Sequence, residues 1–453
     1  MFRRSLRCGT ALTIASLLGA GCATTPNSQR SLLATEKAAD LRSKDKDREA
    51  AAAYTEALDF DPSNIVALRG YVEMQHRVGH TALAIARFRQ AVARHPSDPY
   101  AHEGLGLALF TAGGGQSDEA RAELTRATEL APTIADFQFR LGLFLVEGDN
   151  YEDASRALAK AISLDGHKAK YRVPYALALA RTGDRAGATS QLQAILTLSP
   201  TKDEVALAEK TAQNLFDPFR AIPQAAREQW EIALGWLDHD ATTQALQVLE
   251  SLQQKYPDIA IVHSLTGLAA AKNDDASRAI YELRRAIELD PTLADPRLYL
   301  GDIYNSRGRP DNAREHYEAA VARNPFLALA YERLAEVHLH ASDLEGAARL
   351  YGTYLLLRPT DHDALLAHAK VLTDLHSADA AGAWDNVAKE YPDKIEVLIG
   401  RAKYYFEVAA KAHDPKERGP AVEKCLKSLD KAMDIDPQNP TATAIKSALK
   451  KLP

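Results

Sequence analysis

The sequence has almost no cysteine. Its 453 residues hold three, Cys8, Cys22 and Cys425, and two of these fall within the first 22 positions. The body of the chain keeps one thiol, which excludes an intramolecular disulfide framework there. Long apolar runs are missing as well. Residues 9–21, GTALTIASLLGAG, form the apolar stretch near the N-terminus, and it is too short to anchor a chain across a bilayer. Charge of one sign is also scarce: the formal net charge is −6 and no basic block stands out. That balance argues against nucleic acid as a partner.

Catalytic signatures are absent too. No GxSxG or HExxH occurs, and Gly113-Gly114-Gly115 is not followed by GK[ST], so it reads as a turn and not a phosphate loop. His338 and His340 stand two apart and point to different sides of a helix. Asp238-His239-Asp240 and Asp361-His362-Asp363 fall at expected helix ends, where carboxylates cap or stay solvated. Cys425 takes a small-residue packing position, which favours a buried thiol over a nucleophile. No catalytic residue, no metal ligand and no cofactor is assigned.

What the chain does have is a repeat. Residues 294–327 read as two helices joined by a turn. Leu300, Gly301 and Tyr304 share one face of the first helix; Ala313, Tyr317 and Ala320 share one face of the second. Gly308 and Pro310 suit the end of one helix and the start of the next, and Pro325 closes the unit. The pattern recurs in 328–361 with Leu334, Ala335, Ala347, Tyr351, Tyr354 and Pro359. This unit resembles the tetratricopeptide repeat, a helix-turn-helix of about 34 residues.

Closing prolines set the frame for the rest. Units at 31–64, 65–98, 99–134, 135–168 and 169–202 form a first array of about five repeats. The third carries two extra residues at its glycine turn. Residues 203–225 read as a capping helix and a junction, with a bend or hinge at 216–223 where Pro218 and Pro223 break the helix. A second array of about six repeats covers 226–439. Its first unit, 226–259, diverges but offers Ile232, Ala233 and Trp236 as packing positions. Its last is interrupted by an insertion near 411–418. Residues 440–453 supply a C-terminal capping helix. The resemblance implies an all-α, right-handed α-solenoid superhelix of about eleven repeats, long enough to escape the size limit of a single core.

The N-terminal 21 residues read as a secretory signal, with Arg3, Arg4 and Arg7 before the apolar stretch. LLGAG followed by Cys22 resembles a bacterial lipoprotein signal. That resemblance implies lipid attachment at Cys22, with 22–30 as a polar tether. By resemblance to enterobacterial sorting, Ala23 after the cysteine implies the outer membrane, facing the periplasm. Ordinary signal cleavage would instead leave a soluble periplasmic protein.

In this family the first helix of each repeat lines the partner-binding surface. Its outward positions here are Tyr100, Leu107, Phe110, Phe139, Leu143, Val146, Val173, Leu177, Trp230, Leu234, Leu237, Ile261 and Leu268. From the eighth repeat onward they become Asp302, Asn305, Glu332, Glu336, Asp363, Lys370, Glu396 and Lys403. Two readings of the apolar set are open: a peptide groove, or positions buried by tight curvature against facing helices. The paired cations that clamp a peptide carboxylate in some family members are not present on adjacent repeats. Arg69 and Arg77 come nearest, with Glu73 between them. The resemblance implies a non-catalytic scaffold for envelope proteins or peptides, serving pilus or secretin assembly, outer-membrane protein assembly, polysaccharide export or motility. The alternative is a module that binds a cell-wall or exported polysaccharide through the aromatic positions.

Overall fold

The computed structural model describes residues 26–113, 118–215 and 217–452. The signal segment 1–21, Cys22, Gly114, Gly115 and Phe216 lie outside the described residues. Within them the chain forms 24 α-helices and two short 3-10 turns, with no strand.

The helices form two compact units that divide inside α11, the first ending at Thr211 and the second beginning at Ala212. The first unit holds five hairpins: α1 (Pro26–Ser43) with α2 (Asp47–Phe60), α3 (Ile65–Arg77) with α4 (Thr81–Arg94), α5 (Pro99–Thr111) with α6 (Asp118–Leu130), α7 (Ala135–Glu147) with α8 (Tyr151–Leu164), and α9 (Ala169–Arg181) with α10 (Arg185–Ile195). Helix α11 (Lys202–Leu215) follows. In the second unit, 3-10 turns at Pro218–Ala221 and Gln224–Ala226 lead into six hairpins. These are α12 (Arg227–Asp238) with α13 (Thr242–Lys255), α14 (Ala260–Lys272) with α15 (Ala276–Leu289), α16 (Asp295–Ser306) with α17 (Pro310–Arg323), α18 (Ala328–His340) with α19 (Leu344–Leu357), α20 (His362–Asp374) with α21 (Ala380–Glu390), and α22 (Ile395–Lys411) with α23 (Pro415–Ile435). Helix α24 (Pro440–Leu449) closes the stack. The eleven hairpins and the solenoid architecture match the expectation from the repeat pattern.

The period is written in the backbone. A left-handed residue sits in the turn of ten of the hairpins: Asp45, Gly79, Gly113, Asp149, Gly183, Asp240, Asp274, Gly308, Ser342 and His376. Successive members stand 34 residues apart, except across the two-residue insertion of the third repeat and across the α11 junction. A left-handed residue reverses the chain in the least length, and only glycine adopts it without a steric cost.

Small residues set how closely helices approach. A Cβ on Gly301 would overlap the ring of Tyr317 in the same hairpin, and one on Gly267 would overlap Leu283. Between hairpins, Gly70 lies against Tyr54, Gly104 against Phe88 and Gly400 against Trp384. Side-chain caps start several helices. Asn64 accepts from the backbone of Val66 and Ala67 at 3.1 Å each, and Asp98 accepts from Tyr100 at 3.0 Å beside Pro99.

A further link joins each of three repeats to the one before it. In α14, His263 faces the Glu282 carboxylate with Nδ1 (2.7 Å) and the Pro257 carbonyl with Nε2 (2.8 Å). In α5, His102 faces Glu123 and the Pro96 carbonyl in the same way. In α9, Arg172 donates to Gln191 (2.6 Å) and to the Gly166 carbonyl (3.0 Å). Each bracket satisfies the carbonyl at the closing position of the preceding repeat, which otherwise has no partner at a helix end.

Two expectations change. Helix α1 begins at Pro26, so residues 26–30 are helical and not an extended tether. Proline suits a first helical position, and Ser31 is held by hydrogen bonds that Thr35 and Asn64 make to it. The insertion near 411–418 lengthens both helices of the last hairpin, to 17 and 21 residues, instead of forming a loop.

Candidate partner-binding faces

Consecutive first helices lie side by side in both units. The apolar positions read from the sequence are not open on that face. Leu107, Phe139, Val146, Val173, Trp230, Leu237 and Ile261 are buried. Tyr100, Phe110, Leu143, Leu177, Leu234 and Leu268 are half-buried. Neighbouring aromatics account for the cover in the first unit. Tyr100 meets Phe137 edge-on at 5.5 Å, Phe110 meets Phe144 at 5.4 Å, and Phe139 lies tilted on Tyr171 at 4.7 Å.

At the sixth repeat the register turns. Trp230, Ala233 and Leu237 face inward, while Ile232 is 46% and Trp236 41% exposed. Of the packing positions expected from the pattern, Ile232 and Trp236 are thus exposed, while Ala233 is buried as expected. Before the helix, Phe219 of a 3-10 turn packs on the inward-facing Trp230 at 5.4 Å.

The first-helix face of the first unit carries a charged cluster instead. Arg69 of α3 lies 3.6 Å from Glu103 of α5 and 3.4 Å from Asp136 of α7. Asp136 also accepts from Lys170 (3.1 Å) and Tyr171 (3.0 Å) of α9. These partners outweigh burial and hold the Asp136 carboxyl well below the usual range. Arg140 of α7 stacks over Phe139 at 5.5 Å, and burial pushes it down to about 10. Arg77 pairs with Asp47 at 2.9 Å and Glu73 with Arg42 at 3.0 Å. The two arginines nearest to a carboxylate clamp are therefore occupied by the chain's own acids. A sequence signal for this cluster exists. Arg69 and Glu103, and likewise Asp136 and Lys170, are opposite charges one repeat apart on first helices.

The matching face of the second unit is acidic. Asp302 of α16, Glu332 and Glu336 of α18, Asp361 and Asp363 at the start of α20, and Glu396 of α22 follow one another. One guanidinium serves the first of them: Arg333 lies 3.6 Å from Asp302 and 3.2 Å from Glu336. Burial raises Glu332, and neighbouring Glu336, Asp361 and Asp363 raise it further against Arg333. Burial likewise raises Asp302, although Tyr317 donates to it. Burial and the nearby Glu336 and Glu332 push Tyr351 up to about 12. In each case burial is the largest cause and a neighbouring carboxylate adds to it. His362 stands between Asp363 (2.9 Å) and Glu396 (3.1 Å). Lys370 and Lys403 are exposed nearby.

Among the described residues no group of three or more His, Cys, Asp or Glu could hold a metal ion. No helix among them is long and apolar enough to cross a membrane. Cys425 is buried, its Sγ contacts the Ala402 carbonyl at 3.3 Å, and burial pushes the thiol up to about 11.

A family model described as tetratricopeptide repeat matches residues 77–114, 113–166, 237–294 and 298–364. No curated protein matches the sequence. Solved structures of similar fold include YrrB, described as a TPR protein with an unusual peptide-binding site. It is 20% identical, covering 44% of this chain and 97% of its own, with a TM-score of 0.37. PilF of Pseudomonas aeruginosa is 16% identical over 50% of this chain and 98% of its own, with a TM-score of 0.40. PilW, described as a widely conserved type IV pilus biogenesis factor, is 13% identical over 49% and 99%, with a TM-score of 0.37.

Proposed function

This chain is a tetratricopeptide-repeat protein, and we propose that it is a non-catalytic scaffold that holds a basic segment of a partner protein against the first-helix face of its second unit. The observation that carries this reading is the run of six carboxylates from Asp302 to Glu396, of which Asp302 and Glu336 share the guanidinium of Arg333. Lysine or arginine side chains laid along that face would meet Glu336, Asp361 and Asp363, the carboxylates that add to burial in raising Glu332. The apolar positions of the first unit and of α12 and α14 serve packing in this reading.

The setting we propose is the bacterial envelope. Arg3, Arg4 and Arg7, the apolar stretch 9–21 and Cys22 support export followed by lipid attachment at Cys22. The chain would then sit on the outer membrane, facing the periplasm, and hold proteins of an envelope assembly there.

Two measurements test the reading. Titration calorimetry with a Lys/Arg-rich peptide should give binding that weakens with salt and is lost in the double variant Glu332→Lys, Glu336→Lys. Equal binding by both proteins would sink the acidic-face assignment. Labelling of cells with a palmitate analogue should mark the wild type and not Cys22→Ser. Absence of label on the wild type would refute the lipid anchor and leave the scaffold reading untouched.

A further inference from the structure

Glu103 has an environment that the scaffold function does not use. It lies on the first-helix face of the first unit, yet it is fully buried, and neither carboxylate oxygen has a hydrogen-bond partner. Three charged groups reach it. Arg69 approaches from α3, and Asp136 and Arg140 from α7. Arg69 forms an ion pair with it that is too long for a hydrogen bond. Arg69 divides itself between Glu103 at 3.6 Å, the Asp136 carboxylate at 3.4 Å and the Asp136 carbonyl at 3.5 Å. Arg140 stacks on Phe139, and its Nε is also without a partner, as is Nε of Arg69. Asp136 repels Glu103. The other helices packed on α5 bring Glu103 no charge: α4 presents Phe88 beneath Gly104, and α6 presents Glu123 to His102.

We propose that Glu103 is a proton-operated latch on the first unit: protonated, it stays sealed between α3, α5 and α7, and ionised, it drives those three helices to open toward water. A neutral carboxyl tolerates such a site, whereas a buried carboxylate without donors is costly. The contacts through Arg69, Asp136, Lys170 and Tyr171 join α3, α5, α7 and α9. A change at Glu103 therefore reaches four consecutive repeats. Burial, against the pull of Arg69 and Arg140, moves the Glu103 carboxyl up to about 7 from an ordinary 4.5. The sign follows. The sealed form binds the proton more tightly, so sealing is favoured at low pH and weakens as pH rises through that interval. Above it, the weakening levels off.

The test is amide hydrogen exchange on the full chain at pH 6 and pH 8, each rate divided by the chemical rate at that pH. For a carboxyl that titrates near 7 when sealed and near 4.5 when open, linkage gives about a tenfold increase in opening between the two conditions. The wild type should show that increase in α3, α5 and α7, and Glu103→Gln should not. An equal pH response in both proteins, or none in the wild type, overturns the latch. If Glu103→Gln loses helical circular dichroism, Arg140→Gln replaces it. Removing that cation should move the wild-type transition to higher pH, and an unmoved transition overturns the proposal.

Discussion

Tyr317 donates its hydroxyl to Asp302 at 2.7 Å while its ring covers Gly301. One side chain of α17 thus fixes both the spacing of the α16–α17 hairpin and the orientation of the first carboxylate on the acidic face. Gly301→Leu should cost about 1–3 kcal/mol, because the added side chain has no space short of separating the helices. Tyr317→Phe should cost about 1 kcal/mol through the lost hydrogen bond. Denaturant unfolding followed by circular dichroism measures both, and a Gly301→Leu midpoint equal to that of the wild type would show that the hairpin does not need the close approach.

The His263 bracket gives a pH dependence of defined sign. Burial opposes charge on the ring, but the Glu282 carboxylate and the Pro257 carbonyl outweigh it and raise His263 above 6.5. Its contribution is fully present below that value and is lost as pH rises through the folded value. For Glu282, burial is outweighed by His263 and Gln253, which lower it below 4.5. Its contribution is present above that value and is lost as pH falls. The melting-temperature gap between wild type and His263→Gln should be widest between those two ordinary values and should narrow on either side. A gap that does not vary with pH would remove the ionic account of the bracket.

Ten turns use a left-handed residue, and six of them are not glycine. His376, with φ of 52°, is exposed. His376→Gly should stabilise the second unit by roughly 1 kcal/mol, and Gly308→Val should destabilise it by a similar amount or more. Thermal melts of the two variants should move in opposite directions. Movement in the same direction would place the turn's energetics elsewhere.

The tryptophans report the register of α12. Trp230 and Trp384 are buried, and Trp236 is not. Acrylamide should quench one component of the fluorescence in the native protein, and Trp236→Phe should abolish that component. Persistence of the quenched component in the variant would restore the register expected from the repeat pattern.

The fold was legible because the features that set it are local. Closing prolines, paired small residues and a turn residue every repeat each act within one hairpin or on the next, so one sequence suffices to find them. The faces were only half legible. Asp302, Glu332, Glu336, Asp363 and Glu396 stand out because charge on an outward position has few explanations. Tyr100, Phe110 and Phe139 did not declare whether they were open or covered, because the cover comes from Phe137, Phe144 and Tyr171 on other turns or helices. Trp230 and Trp236 exchanged roles: Trp230 is buried and packs on Phe219, a ring outside the repeat, and Trp236 is exposed. The burial of Glu103 is not legible in its own repeat, because the charged groups around it, Arg69, Asp136 and Arg140, come from two other helices.

The long last hairpin has a consequence for recognition as a whole. A surface that recurs every 34 residues is nearly degenerate under translation, so an extended partner can dock one repeat out of place at little loss. Helices α22 and α23, at 17 and 21 residues, overrun the 13- and 14-residue helices that are common elsewhere. At about 1.5 Å per residue this is an overhang of roughly one to two helical turns. It marks one end of the acidic face as unlike every other step along it. Periodicity builds the scaffold, and this departure from it would give a bound chain a direction and a starting point.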